Sequence, residues 1–402
     1  RMFDLTSVRL RGPLADHANR FWSALLDDGY SPLTAVNHLR LAADFSRWLY
    51  DHRLGIDDLS DEMVDGFLKN RKRRGYTTYC TRHGVQPLLA YLQGTGIGIR
   101  REPVVTTALD ELLAAYAEYL ARDRRLCGVT VTAYLKAARE FAVSCFGSRD
   151  PQWGQLSAEV VTDFVMRETR RRSSTFVKNQ IPKLRSFLRF LHVQSYSAVG
   201  LAGCVPAIAG WRLASVPPAL DPEQIDRLLH VFDDRSLTAR RNAAIVHLLL
   251  GLALRAGDVA GLKLEDVDWR AGEITVCGKG KHSSRLPLPH DVGRALAGYL
   301  RCRPRARTRC VFLRSRAPYE ALTSGGVVSV ARTALRASGV AAGGAHLLRH
   351  TAATQMLRKG ASLSEIAHVL RHRHVDTTAI YAKVDLASLQ SVAHPWPAEA
   401  VQ

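Results

Sequence analysis

Acidic side chains are scarce in this sequence relative to basic ones. Thirty-seven Asp and Glu stand against 56 Lys and Arg, a formal charge of +19 over 402 residues. Such a surplus points to a polyanionic partner, with nucleic acid ahead of a membrane surface because no amphipathic anchor stands out. Long apolar runs are missing as well. No stretch reaches the roughly 18 apolar residues of a membrane span, so no transmembrane helix and no membrane partner are expected. No positive segment followed by an apolar core opens the chain, which argues against a signal peptide. The seven cysteines (Cys80, Cys127, Cys145, Cys204, Cys277, Cys302 and Cys310) form no CxxC pair. A scattered, odd set fits free thiols in a reducing cytoplasm and no zinc site. The GxxxxGK[ST] loop of nucleotide binders is absent. From Gly343 onward the only carboxylates are Glu365, Asp376, Asp385 and Glu399, too few to converge on two metal ions. No metal and no cofactor are therefore expected.

What is present describes an ordinary globular chain, 47% hydrophobic and 23% charged, long enough for two or three cored domains. Residues 17–94 form a first helix-rich module, with helices expected at 18–26, 32–51, 60–69 and 76–94. Ser31-Pro32 is a strong helix opening, Ser at the cap and Pro in the first turn. The basic run Lys69, Arg71, Lys72, Arg73 and Arg74 is expected between the third and fourth helices, where it would meet phosphates. Residues 95–105 are a linker. The pattern then repeats: TAVNHLRLAADF from Thr34 is echoed by TVTAYLKAAREF from Thr130, an offset of 96, and Leu59-Ser60 by Leu156-Ser157, an offset of 97. A second four-helix module is therefore expected over 106–197, with helices at 108–123, 130–146, 158–170 and 174–192. Arg170, Arg171, Arg172, Lys178 and Lys183 are its candidate DNA contacts. Residues 198–218 are a second linker.

The third region, 219–385, opens at Asp221-Pro222, again a cap followed by Pro. It holds a long apolar helix over 240–252, then LRAGDVAGL around Arg255 and Asp258. A short strand at 273–277 and a returning strand at 284–288 flank the tip GKGKH, which carries Lys279 and Lys281. Arg285 on the returning strand and Arg332 and Arg336, one turn apart on a helix at 324–338, are further candidate DNA contacts. The arginine-rich RCRPRARTRC at 301–310 reads as an exposed loop that adds to DNA affinity. The densest chemistry lies in AHLLRHTAATQMLRKGASLSEIAHVLRHRHVDTTAIYAKVD, 345–385. Leu347, Leu348, Ala352, Ala353, Met356 and Leu357 recur at a helical period, placing His346 and Arg349 one turn apart at a helix start. Cationic and imidazole groups beside the phenol of Tyr381 suit holding a phosphodiester while an oxygen nucleophile attacks phosphorus.

The HxLRH stretch from His346 to His350, then His372, then Tyr381 nine residues on, resembles the tyrosine recombinase or phage integrase family in residue types and in spacing. The resemblance covers 108–385. It implies a mainly α fold with a small antiparallel β-hairpin or sheet in a catalytic domain preceded by helical DNA-binding modules, the second of them the core-binding domain. It makes Arg255, Lys279, His346, Arg349, His372 and Tyr381 the catalytic set. In that set Arg255 and Arg349 hold the nonbridging oxygens and Lys279 is the general acid. His346 accepts the tyrosine proton or holds phosphate, His372 hydrogen-bonds a nonbridging oxygen, and Tyr381 is the nucleophile. Asp258 and His350 are supporting residues. Two positions depart from the family pattern: Asp258 stands for Glu, and Arg371 precedes His372 where Gly is usual.

The function implied is a site-specific recombinase of integrase or transposase type, cleaving and rejoining DNA through a 3′-phosphotyrosyl link without metal or ATP. Its partners would be duplex DNA bearing recombination sites and copies of itself, a dimer on one site and a tetramer in synapsis. A helper recombinase or directionality protein would be a further partner, and the tail 386–402 would contact a neighbouring subunit or cover its own core. The setting would be the cytoplasm, at the nucleoid. Two alternatives stay open: a type IB topoisomerase-like relaxing enzyme, and a catalytically inactive DNA-binding regulator of recombinase descent.

Overall fold

The computed structural model describes residues 8–98, 100, 107–147, 149–207, 217–232, 234–278, 283–371 and 378–384. The chain divides into two compact units, one of residues 1–100 with 215–402 and the other of residues 101–214. The first module contributes α1 (Ala18–Asp27), α2 (Pro32–Asp51), α3 (Asp61–Arg73) and α4 (Arg82–Gly94). Ser31 caps α2, its hydroxyl accepting from Thr34 N–H with Pro32 in the first turn, and Ser60 caps α3 in the same way. Phe21, Leu39, Phe45, Leu49, Val85 and Leu92 are among the buried residues where these helices meet.

The unit of residues 101–214 repeats the plan with α5 (Ala108–Arg122), α6 (Gly128–Phe146), α7 (Ala158–Arg171) and α8 (Ser174–Val193). The sequence echo is also an echo in packing. Ala42 and Phe45 on α2, and their counterparts Ala138 and Phe141 on α6, are all buried. Ser157 caps α7 as Ser60 caps α3. Phe187 on α8 lies at the centre of this second core, against Tyr116, Phe141 and Trp153.

The larger core belongs to residues 217–371. It is built by α9 (Pro222–His230), α10 (Leu237–Gly251), α11 (Ala256–Gly261), α12 (His290–Leu300), α13 (Ser324–Ala337), α14 (Ala345–Arg358) and α15 (Leu363–Val369). Beside them is a three-stranded antiparallel sheet, β1 (Val267–Asp268), β2 (Glu273–Cys277) and β3 (Ser283–Pro287), in the order β1-β2-β3. Ile274 pairs with Leu286 and Val276 with Ser284, so Ile274, Val276 and Leu286 face the core. Helix α10 is its apolar spine, with Ala244, Ile245, Leu248 and Leu249 wholly enclosed. Two tight features set the position of α14. Thr351 accepts a hydrogen bond from Leu220 N–H at 3.0 Å, tying the start of this region to the helix. Gly343, at φ +154°, leads into it, and a Cβ there would fall 2.5 Å from the Leu347 side chain.

Three expectations are corrected. Helix α3 runs on through Lys69–Arg73, and α4 begins only at Arg82, so the basic run is mostly the end of a helix and not a turn. Arg and Lys are good helix formers, and cations are favoured at a helix C-terminus. Within that run Arg71 is not a surface cation. It is buried, pairs with Asp44 at 2.6 Å and lies 4.0 Å from the Tyr76 ring centre, which removes it from the DNA-contact set. In the loop 301–310, Arg303 is occupied by the carbonyls of Pro304, Thr308, Cys310 and Val311 and shapes the loop itself. Arg71→Ala should therefore act on stability. Because Asp44 is partly solvated, the loss should be about 2–3 kcal/mol, below the range for a fully enclosed pair. Chemical denaturation should show that loss, with DNA affinity at native temperature nearly unchanged.

Candidate active site

The site is assembled from three places far apart in sequence. The first is the bend between α10 and α11. Ala253 there takes φ +49°, a conformation that L residues seldom adopt, and Arg255 follows as the N-cap residue of α11. The second is the first turns of α14, which carry His346, Arg349 and His350. The third is the end of α15, Leu370 and Arg371, with the short helical segment Ala379–Val384 that holds Tyr381.

Arg349 joins these elements. It is 5% exposed, and its guanidinium donates to the carbonyl of Ala253 through Nη1 and to that of Leu370 through Nη2. Burial lowers its pKa to about 10, with the charges of Arg255 and Arg371 adding to the effect, so it remains a cation at neutral pH. Arg255 is partly exposed and reaches the same segment by longer contacts, 3.5 Å to Leu370 O and 3.4 Å to Arg371 O. Asp258 accepts from Arg255 N–H at 3.0 Å and from Arg371 Nη2 at 2.5 Å. The guanidinium groups of Arg349 and Arg255 thus converge on the carbonyl of Leu370, and the Asp258 carboxylate holds a third, that of Arg371.

Tyr381 is 1% exposed, packed among Ala253, Ala352, Ala353, Leu357, Ile366 and Leu370. Its hydroxyl lies 2.7 Å from Nδ1 of His350. Burial pushes the phenol up to about 12, the nearby Arg349 charge opposing that rise, so the group is protonated at neutral pH. Burial also lowers the pKa of His350, helped by His346 and Arg349. A neutral imidazole facing a protonated phenol is an acid–base pair ready for transfer. The phenol can donate to Nδ1 only in the tautomer that carries its proton on Nε2.

The two histidines stand differently toward the phenol. His350, expected as a supporting residue, is the one in contact with it. His346, expected to accept the tyrosine proton or hold phosphate, is exposed, with its ring centre 6.4 Å from that of His350. The signal for His350 was in the sequence, since it lies four residues after His346 and therefore one turn further along the same face. Lys279, Lys281, His372 and the tail 386–402 lie outside the described residues. Of the expected DNA contacts, Lys69, Lys72, Arg73, Arg74, Arg170, Arg171, Arg285, Arg332 and Arg336 are exposed. Arg172 is also exposed but pairs with Glu168, while Lys178 and Lys183 are partly buried, Lys183 against Gln180. No group of three or more His, Cys, Asp or Glu with metal-site geometry occurs among the described residues, and no helix there is long and apolar enough to cross a membrane.

Comparison with known proteins adds the following. The model of the phage integrase family matches residues 218–387. A Sinorhizobium fredii protein named integrase/recombinase y4rA is 38% identical over 401 residues, covering 97% of this chain and 96% of its own length. The tyrosine recombinase XerC of Thermodesulfovibrio yellowstonii is 28% identical over 277 residues, 66% of this chain and 90% of its own. Among solved structures, XerH site-specific recombinase bound to palindromic difH substrate superposes with a TM-score of 0.55 at 17% identity, covering 72% of this chain and 97% of that one.

The His350 environment makes a direct prediction about stability. Its folded-state pKa lies below the ordinary 6.5, so the unfolded chain binds this proton more readily than the folded one. The associated stability is complete above the unfolded value and is lost as pH falls through the folded one. Histidine NMR should place the His350 midpoint below 6.5, and His350→Gln should flatten part of the fall in stability on the acid side.

Proposed function

The chain belongs to the tyrosine recombinase, or phage integrase, family of DNA strand-exchange enzymes, and from that premise we propose how its own residues carry out the reaction. It is a site-specific recombinase whose partner is duplex DNA. The observation that carries the mechanism is the 2.7 Å contact between Tyr381 and His350 beside the buried Arg349.

The DNA phosphate docks against Arg349 and Arg255, whose charges are already fixed in place and need little reorganisation as negative charge grows on the nonbridging oxygens. Tyr381 Oη attacks phosphorus, and its proton passes to Nδ1 of His350. The new P–Oη bond forms as the P–O5′ bond breaks, leaving a 3′-phosphotyrosyl link. The departing 5′ oxygen takes a proton and becomes a free hydroxyl, with Lys279 the proton donor that the family resemblance assigns. A 5′-hydroxyl from a partner strand then attacks the link and gives its proton back to Lys279, the P–Oη bond breaks, Tyr381 recovers its proton from His350, and the backbone is resealed. One phosphodiester is exchanged for another, so neither step requires an external energy source.

Raising the phenol to about 12 by burial keeps it from ionising in the resting protein. Nucleophile activation is thereby coupled to proton transfer at the moment of attack. Of the exposed cations, Lys69, Lys72, Arg73 and Arg74 on one module and Arg170 and Arg171 on the other supply phosphate contacts. Synapsis brings dimers on each site into a tetramer, with the tail 386–402 as an intersubunit contact and a helper or directionality protein as an additional partner. The reaction takes place in the cytoplasm, at the nucleoid.

The test is a set of nicked duplexes spanning the ends of the DNA element that encodes the protein, on which cleavage releases a short fragment and traps the link. The wild type should give a covalent protein–DNA adduct on denaturing gels. Tyr381→Phe should give none while binding the same duplex with equal affinity. An adduct that persists in Tyr381→Phe would overturn the assignment of the nucleophile.

A further inference from the structure

We infer that Arg371 is a positioning residue of the strand-cleavage reaction, closing a ring with Asp258 and Arg255 that sets where the phosphate-holding arginines stand. The inference rests on the recombinase reading above. Each member of the ring grips another. Arg255 gives its main-chain N–H to the Asp258 carboxylate at 3.0 Å, and that carboxylate takes Nη2 of Arg371 at 2.5 Å. The circuit closes when the Arg255 guanidinium returns to the carbonyl of Arg371. Leu370 O, one residue earlier, also receives Nη2 of Arg349. The position of residues 370–371 therefore bears on both phosphate-holding arginines, and Asp258 is the anchor that holds Arg371 against α11.

Two further observations separate positioning from ordinary stabilisation. Arg371 takes φ +52°, where a side chain strains the backbone and glycine would not. An arginine is kept at a position whose backbone favours glycine, and the ion pair is the gain set against that strain. In addition, Nε and Nη1 of Arg371 are buried with no acceptor among the described residues. With the Arg371 and Asp258 side chains only 11% and 6% exposed, the Asp258 contact is what orients this guanidinium. Arginine is required for this because its planar fork can reach the carboxylate while the main chain of the same residue serves Arg255.

The test uses Arg371→Gly, which suits the backbone and removes the ion pair. On the nicked duplexes its Tm and DNA affinity should stay close to wild type, while the single-turnover rate of adduct formation falls about 10–100-fold, the scale of a small misplacement of a catalytic group. Guanidinium ion at millimolar concentration should restore part of that rate in the Gly variant and none in the wild type. Arg371→Lys should fall between the two. Asp258→Asn should show the same loss, and the double variant should lose no more than either single one, because all three break one ring. A Gly variant that cleaves at the wild-type rate, or a double variant whose losses multiply, overturns the inference. If Arg371→Gly lowers Tm by more than about 10 °C for a chain of this size, the Lys variant carries the rate comparison. If the wild type itself forms no Tyr381-dependent adduct, the recombinase reading fails, and the ring is then judged by crystal structures of the wild type and Arg371→Gly. An Arg255 side chain that keeps its place in the Gly variant would show that the ring positions nothing.

Discussion

A guanidinium taken out of water must keep its hydrogen bonds, and Arg349 keeps them by donating to the main-chain carbonyls of Ala253 and Leu370. That requirement organises the site. One carbonyl comes from the bend that leads to Arg255, the other from the end of α15, so a single side chain on α14 fixes both neighbours. Among the described residues its hydrogen bonds go to these carbonyls and not to a carboxylate, so the positive charge is not cancelled. A phosphodiester is the anion such a cradle is suited to receive. Arg349 bonds to the main chain of Ala253 and Leu370, and both residues belong to the apolar cluster that buries Tyr381, so a raised phenol and a lowered guanidinium occur side by side.

The protein has taken two groups away from their ordinary protonation behaviour by one means, desolvation. A phenol held protonated and an imidazole held neutral, 2.7 Å apart, share one transferable proton. Attack on phosphorus can then be gated by the arrival of DNA, because free ionisation of Tyr381 is suppressed until a phosphate and the arginines stabilise the developing charge. The ring through Asp258 and Arg371 holds the carbonyls on which that arrangement depends.

Much of the fold could be read from local signals. Ser31-Pro32, Ser60 and Asp221-Pro222 mark helix starts because caps are decided within four residues. The repeated module was legible because burial follows the same periodicity in both copies, as Phe45 and Phe141 show. Arg349 and Tyr381 were nameable because their spacing relative to each other is distinctive. What escaped depended on tertiary partners. Arg71 looks like any other cation of a basic run until Asp44, on another helix, is found beside it. Asp258 and Arg371 each stand out as a departure from the family pattern, yet 113 residues separate them and only the fold reveals that they are a pair. His346 and His350 share one face of α14, and which of its turns meets Tyr381 is set by the tertiary packing, which helical periodicity alone does not specify.

Transfer of the Tyr381 proton to His350 is tested most directly by the single-turnover cleavage rate as a function of pH. The rate should rise through a midpoint below 6.5 and then level off, following neutralisation of His350. That rising limb should vanish in His350→Gln and survive in His346→Gln. A limb that survives in His350→Gln and disappears in His346→Gln would contradict the account and return the proton to the exposed histidine.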